Sequence, residues 1–252
     1  MSYKKNLLSF NNVKTLKGEK KGVKTFILYL SPFTLNSKGV NLCPMASNGC
    51  ASACLFKSGF GGLFEGVRNG RTEKTEFYLS NRIAFLDKLV SEITKIEAKY
   101  KNTEWDLAIR LNGTSDISFE KQITSNGKTI FDTFSNIQFY DYTKNYTRFK
   151  KALPSNYHLT FSRSEINEEI AMDLLSKGVN VSMVFDKLPE TYKGYKVVNG
   201  DEDDLTYLQP KGVIIGLKYK KNTSKGGKEK NIEAFKSGFV VLTDVKNIVL
   251  VG

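Results

Sequence analysis

Histidine occurs once in these 252 residues, at His158, and cysteine only three times. All three cysteines lie between positions 43 and 54, which excludes the disulfide framework of a small secreted domain. No apolar run reaches the roughly 18–20 residues that span a bilayer, so no membrane partner is expected. The opening residues Met1-Ser2-Tyr3-Lys4-Lys5 lead into no signal-peptide core, so a reducing cytoplasm is expected. There is no internal repeat, no long low-complexity tract and no evident linker. Residues 1–252 therefore read as a single domain, with a cysteine-bearing loop over about 32–71.

Acidic residues are in deficit. Lys and Arg number 38 against 26 Asp and Glu, giving a formal net charge of +12. Such an excess favours anionic partners, among them nucleic acid and phosphorylated substrates. Much of the lysine, however, sits in two loop-like stretches, 14–24 and 218–230, where the alternative is plain solvation.

Hydrophobic periodicity supplies the elements. Thr25–Ser31 alternates as a strand, and Asp106–Asn112, Gln138–Asp141, His158–Ser162, Val179–Phe185 and Gly212–Tyr219 follow, with Phe239–Leu242 as a last candidate. Leu79, Ile83, Leu86, Val90 and Ile93 recur at three and four residues and mark a helix over about Glu76–Tyr100. A short helix ends at Pro154. Ser164 or Asn167 caps another helix, which carries Ile166, Ile170 and Leu174 and stops at Gly178.

Strands alternating with helices indicate parallel βαβ units, in a doubly wound sheet or a barrel. The strand faces discriminate. Phe26, Leu28 and Leu30 oppose Tyr29 and Ser31, and Leu107, Ile109 and Leu111 oppose Arg110 and Asn112. Leu159 and Phe161 oppose His158, Thr160 and Ser162; Val181, Met183 and Phe185 oppose Asn180, Ser182 and Asp186; Val213, Ile215 and Leu217 oppose Lys218. A sheet covered by helices on both faces is apolar throughout. One polar face per strand instead suits a lumen that holds a site at the C-terminal strand ends. The expected fold class is α/β, a parallel (β/α) barrel, partial or irregular; a twisted open sheet with one solvent face is the alternative.

The segment Cys43-Pro-Met-Ala-Ser-Asn-Gly-Cys50-Ala-Ser-Ala-Cys54 gathers three thiols among small residues. Thiolates grouped in this way are soft ligands for iron–sulfur clusters or zinc. Structural zinc is normally closed by a fourth Cys or His, and His158 starts a strand, at the end away from the loops. Three ligands on a cubane [4Fe-4S] cluster would leave one iron open to a small substrate or cofactor. Zinc with a carboxylate ligand, and cysteines packed as small apolar residues, are the other two readings.

A three-cysteine loop after the first strand of a parallel barrel resembles the radical S-adenosylmethionine superfamily, which implies a [4Fe-4S] cluster whose open iron chelates S-adenosylmethionine. The intervals here, six and three residues, are longer than that superfamily's usual spacing, and Arg110-Leu-Asn-Gly-Thr-Ser-Asp116 replaces its Gly-Gly-Glu run. The chain more closely resembles a mostly bacteriophage-encoded family, gene product 88-like, over about Phe26–Val241. The motifs are Cys-Pro…Gly-Cys…Cys-Leu, Gly-Thr-Ser-Asp at 113–116, Gln-Phe-Tyr-Asp-Tyr-Thr-Lys at 138–144, Phe-Ser-Arg-Ser-Glu at 161–165, and Gly-Asp with Asp204. That resemblance implies a phage origin, and so the cytoplasm of an infected bacterium.

Candidate catalytic residues are those at the strand ends: Arg110, Asn112 and Asp116; Tyr140 and Asp141; Arg163 and Glu165, beside Ser162; and Asp186. Arg110 or Arg163 suits a carboxylate or phosphate. Asp141, Glu165 or Asp186 suits an acid, a base or an amine anchor. Mutual ion pairing and helix capping are the structural alternatives. Asp201-Glu-Asp-Asp204 suggests a hard metal or a solvated turn, and Lys218 an anion contact. Gly59-Phe-Gly-Gly62 lacks the Gly-Lys-Ser/Thr ending of a phosphate loop and reads as a lid or turn.

The functions these features predict are three. The first is an iron–sulfur enzyme, working by S-adenosylmethionine radical chemistry or by Lewis-acid carbon–sulfur lysis or desulfuration. The second is a nucleic-acid-binding phage protein with a structural or redox-sensing cluster. The third is a structural zinc protein.

Overall fold

The computed structural model describes residues 3–54, 56, 64–222 and 226–243. The elements in chain order are β1 (Leu8–Ser9), α1 (Val13–Glu19), β2 (Val23–Leu28), α2 (Asn48–Ser52), α3 (Glu65–Ser80), α4 (Arg82–Tyr100), β3 (Asp106–Arg110), α5 (Ile130–Thr133), β4 (Gln138–Thr143), β5 (Tyr157–Ser162), α6 (Glu168–Ser176), β6 (Val181–Phe185), β7 (Thr191–Tyr192), β8 (Tyr195–Asn199), β9 (Ile214–Lys218), α7 (Gly227–Lys236) and β10 (Val240–Val241). Three short 3-10 turns, at Phe119–Lys121, Tyr146–Lys150 and Thr206–Leu208, lie between them. No described helix is long and apolar enough to cross a membrane.

The strands form one ten-stranded sheet in the order β1-β2-β3-β4-β5-β6-β9-β8-β7, with β10 added on β6. Among the described residues, only β1 on β2 and β7 on β8 pair antiparallel. No pairing among the described residues joins the edge strands, so the sheet is open. From β2 to β6 the spatial order is the chain order, without the reversal at the centre of a doubly wound sheet. Register puts Phe26, Ile109, Phe139 and Tyr157 on one face, and Phe161, Val181 and Ile214 continue it. Helices α3, α4 and α5 bury Tyr78, Phe85, Leu86, Leu89, Ile93 and Phe131 against the first half of that face, and α6 buries Ala171, Leu174 and Leu175 against the second. Crossover helices gathered on one face are the arrangement that curls a parallel sheet.

The opposite face is the polar one, and the chain returns across it. The segment after β8 brings Leu205 against Val23, Ala108 and Tyr140, and Asp204 onto Arg110 at 2.7 Å. Lys21 pairs with Asp203 at 2.6 Å, and the Lys17 ammonium donates to the Asp201 carbonyl. The acidic run 201–204 thus disperses onto separate partners and holds this crossing segment in place.

Three expectations need correction. The single helix over 76–100 is two helices that begin earlier, at Glu65. They break at Asn81, whose extended backbone (φ −149°) lets its side chain accept from Ala84 N–H and cap α4. In β9 the parity is reversed: Ile214 packs on the helix side, while Leu217 faces the cavity described below. This strand is apolar on both faces, so alternation could not register it. At the start of α6, Asn167 holds the cap position, but its Oδ1 accepts from Ser164 N–H at 2.6 Å rather than from the helix. The Gly59–Gly62 stretch lies outside the described residues.

Candidate functional site

A cavity of about 240 Å³ opens where β3, β4, β5, β6 and β9 end. Cys43, Cys50 and Cys54 all line it, beside Arg110, Asn112, Asp116, Lys144, Ser162, Ser182 and Lys218. Pro32, Phe33, Ala46, Ala53, Val184, Leu217 and Phe239 supply an apolar wall. The pocket is therefore amphipathic and sits at the strand ends, where parallel α/β folds build their sites.

The cysteine segment reaches this position through a chain of caps. Ser47 N-caps the short helix α2, accepting from Cys50 N–H at 3.2 Å. Ser47 Oγ in turn donates to Glu165 Oε2 at 2.7 Å, and Gly49 N–H donates to Glu165 Oε1 at 2.8 Å. Gly49 is required by packing: a Cβ there would lie 2.5 Å from Phe239 Cβ and 2.6 Å from Ser237 Oγ. Cys50 and Ala53 pack against the α7–β10 cluster of Ala234, Phe239 and Val240. The Cys43 thiol faces the Thr114 carbonyl at 3.7 Å. Burial pushes the Cys43 thiol up to about 12, with Cys54, Asp116 and Cys50 adding to the rise. Burial thus favours the protonated thiol at Cys43, and a bound metal would favour the thiolate.

Positive charge flanks the thiols. Lys144 Nζ donates to Ser162 Oγ at 2.9 Å. Burial pulls the Lys144 ammonium down, but Cys50, Asp116 and Cys43 more than offset this and its pKa is raised. Arg71 stacks over Tyr29 at 4.8 Å and Phe56 at 5.5 Å, and its pKa is lowered by burial despite Tyr29 and Cys54 nearby.

Of the strand-end candidates, Arg110, Asn112 and Asp116 reach the cavity. Each is also committed within the protein. Arg110 lies over the Tyr142 ring at 4.6 Å, pairs with Asp204, and donates to the Asn112 carbonyl at 3.2 Å. Asn112 organises its own loop, its Oδ1 accepting from Ser115 Oγ at 2.9 Å and from Ile117 N–H at 2.8 Å. Asp116 accepts from Thr143 Oγ1 at 2.7 Å and pairs with Arg148 at 3.3 Å.

The other five do not line the cavity. Tyr140 is deep on the polar face, with its hydroxyl 3.4 Å from Asp204. Asp141 is on the helix-side face and fully buried, accepting from Asn112 N–H at 2.7 Å and Tyr157 OH at 2.8 Å. Its carboxyl is pushed up to about 6 by burial, against Arg110 and the hydrogen bonds that favour the charged form. Arg163 pairs with Glu168 and donates to the Phe239 carbonyl at 3.1 Å. Glu165 holds the cysteine helix, as above. Asp186 accepts from Thr243 N–H and Oγ1, both at 3.0 Å. Strand parity puts Asp141 on the far face, and β4 runs two residues beyond the expected end, which leaves Tyr140 below the cavity although it shares the parity of Tyr142.

Sequence reasoning passed over Lys144, Ser182 and Tyr142. Continuing the Tyr140–Tyr142 parity to Lys144 would have found the first. His158 is near the start of β5, away from the cysteines, and burial and Lys211 lower its pKa.

As a metal centre the donor set has a definite character. Among the described residues, no three His, Cys, Asp or Glu side chains converge as the ligands of one ion would. A cubane binds each thiolate on a different iron, so it asks for three thiols around one space rather than at one point. The three cysteines around a single cavity fit that requirement.

Searches of curated proteins and of solved structures find no match. The family model for gene product 88 matches residues 6–236, most of the chain and all three cysteines, so the chain belongs to the gene product 88 family.

Proposed function

We propose that this protein binds an iron–sulfur cluster through Cys43, Cys50 and Cys54 and acts on a small molecule held in the adjoining cavity. One observation carries the reading: three thiols and the polar ends of five parallel strands line the same cavity. A [4Fe-4S] cluster held by three thiolates would supply an iron open to a ligand atom, for Lewis-acid carbon–sulfur lysis or desulfuration, or for radical chemistry with S-adenosylmethionine. The protein's own groups do the rest. Glu165 and Ser47 fix the turn that carries Cys50. Lys144 sets positive charge beside the Cys50 sulfur. Asn112 and Arg110 hold the loop opposite Cys43, and Phe33, Val184 and Phe239 exclude water.

Anaerobic purification with iron, sulfide and zinc quantitation tests the proposal. The expected outcome is a brown protein with iron and sulfide in equal amounts, and loss of both in Cys43→Ala, Cys50→Ala and Cys54→Ala while the fold is retained. A colourless protein without iron, or one carrying stoichiometric zinc, overturns it.

The net charge of +12 favours a second reading, nucleic-acid binding, with a cluster in a structural or redox-sensing role. It requires affinity for a duplex or single strand that falls steeply as salt rises. Binding that is indifferent to salt, or absent, removes it.

A further inference from the structure

Three buried arginines are each held by a carboxylate. Arg110 pairs with Asp204 at 2.7 Å, Arg148 with Glu120 at 2.7 Å, and Arg163 with Glu168. Arg71, on α3, is different. It forms no ion pair among the described residues, and its Nη1 is shut off from water without a hydrogen-bond partner among them. Its guanidinium lies instead over two rings, Tyr29 at 4.8 Å and Phe56 at 5.5 Å. Those contacts engage its flat face and leave the N–H edge unspent. A guanidinium drawn from water without an anion is costly.

Tyr29 does not supply the anion, because burial raises its pKa and it stays neutral at neutral pH. The sulfur close enough to act on the Arg71 charge is that of Cys54, which lines the cavity. Phe56 follows Cys54 by two residues and is 4% exposed, so the ring over Arg71 also fixes the segment that carries this cysteine. Two neighbours on α3 hold Arg71 in place. Thr72 Oγ1 meets Ser31 Oγ at 3.0 Å, and Thr75 Oγ1 accepts from Ser31 N–H at 2.8 Å. Ser31 leads directly into Pro32 and Phe33 of the cavity wall. Cys50 already has a cation of its own, the Lys144 ammonium hydrogen-bonded to its sulfur.

We propose that Arg71 is a positioning residue for the cluster, the charge complement of the metal-bound Cys54 thiolate, and that it raises the cluster's reduction potential. The inference rests on the cluster reading above. A [4Fe-4S] core with three thiolates is an anion as a whole. Reduction adds one electron from an external one-electron reductant, with no bond made or broken. A fixed cation beside the sulfur therefore favours the reduced form; net charge and hydrogen bonds to sulfur are the levers on such potentials. A guanidinium is more weakly hydrated than an ammonium, which suits a half-buried place between two rings.

Anaerobic redox titration with dithionite, beside iron quantitation, tests this on full-length wild type, Arg71→Met, Arg71→Lys and Arg82→Met. Methionine keeps an apolar chain between the rings and removes the charge. Arg82 also stacks on a ring, Tyr78 at 5.2 Å, but is exposed at the start of α4. Arg71→Met is expected to lower the reduced-to-oxidised ratio at fixed potential about tenfold, the scale of one charge-assisted contact and about 59 mV for a one-electron couple. Arg71→Lys should stay near the wild type, and Arg82→Met should match it. Metal-free Arg71→Met should melt no lower than metal-free wild type, because it loses a cation that has no anion there. Iron lost from Arg71→Met but kept in Arg71→Lys, with metal-free melting unchanged, supports the inference equally. An unmoved potential in Arg71→Met, an equal shift in Arg82→Met, or a lower metal-free melting temperature overturns it. Wild-type iron keeps the two proposals apart. A wild type without iron removes the cluster reading and this inference together, whereas a brown wild type whose potential ignores Arg71 removes this inference alone.

Discussion

Asp141 shows how a strand-end carboxylate can be visible in sequence and still serve the fold. Its oxygens take the Asn112 backbone N–H, the Asn112 amide at 3.1 Å and the Tyr157 hydroxyl, so it ties β3, β4 and β5 together beneath the cavity. Burial raises its pKa from 3.8 to about 6. An acid whose folded pKa is raised binds more protons folded than unfolded between those values, so its contribution to stability is full below pH ~3.8 and is lost as pH rises through about 6. A rise of that size corresponds to roughly 3 kcal/mol. Denaturant titrations at pH 4 and pH 7 should show the advantage of the wild type over Asp141→Asn shrinking across that interval. A constant difference would mean that Asp141 stays ionised throughout.

At the scale of elements, the cysteine helix α2 is short and draws its position from its neighbours. Five residues cannot hold a helix by themselves. Glu165 supplies the anchor, and the contact surface of Phe239 and Ser237 admits only glycine at position 49. Glu165→Ala removes an acceptor from both Ser47 and Gly49, a loss of about 1.5–3 kcal/mol for charge-assisted bonds. Gly49→Ala forces overpacking, at about 1–3 kcal/mol. Both variants should lower the melting temperature and, with the cluster proposal, the iron retained per chain. Normal iron and normal melting in both would show that α2 is held by other means. Glu165 was identified in the sequence as a catalytic candidate because it follows a strand; that it reaches back to residues 47–49 is a contact no local pattern encodes. The same limit explains the helix break. The apolar stripe through Leu79 and Leu86 continues in phase across Asn81, and only the cap geometry ends α3 there.

At the scale of the molecule, the segment 201–208 decides how the sheet is covered on its polar side. Asp204 meets Arg110, Tyr140 and Tyr142 across that face, all on strands far from it in sequence. Arg110 is buried, at 6% exposure, so removing its partner leaves an uncompensated charge. Asp204→Ala should cost roughly 3–5 kcal/mol, read as a lower denaturation midpoint. Glu202, two residues earlier in the same acidic run, is not equivalent. Its exposed carboxylate accepts from the Asn199 amide at 3.2 Å, and Glu202→Ala should cost under about 1 kcal/mol. Equal losses in the two would refute the closing role of Asp204.

The sequence alone determined the mostly parallel α/β class, six of the inner strands, the face that four of them present, and three thiols in one loop. These follow from two-residue periodicity and from spacing, which are local. Tertiary structure decided the rest: which strand-end side chains share a cavity, and which are consumed by ion pairs. Those outcomes depend on charges meeting across long stretches of chain, as Asp204 meets Arg110, and no local periodicity records such meetings.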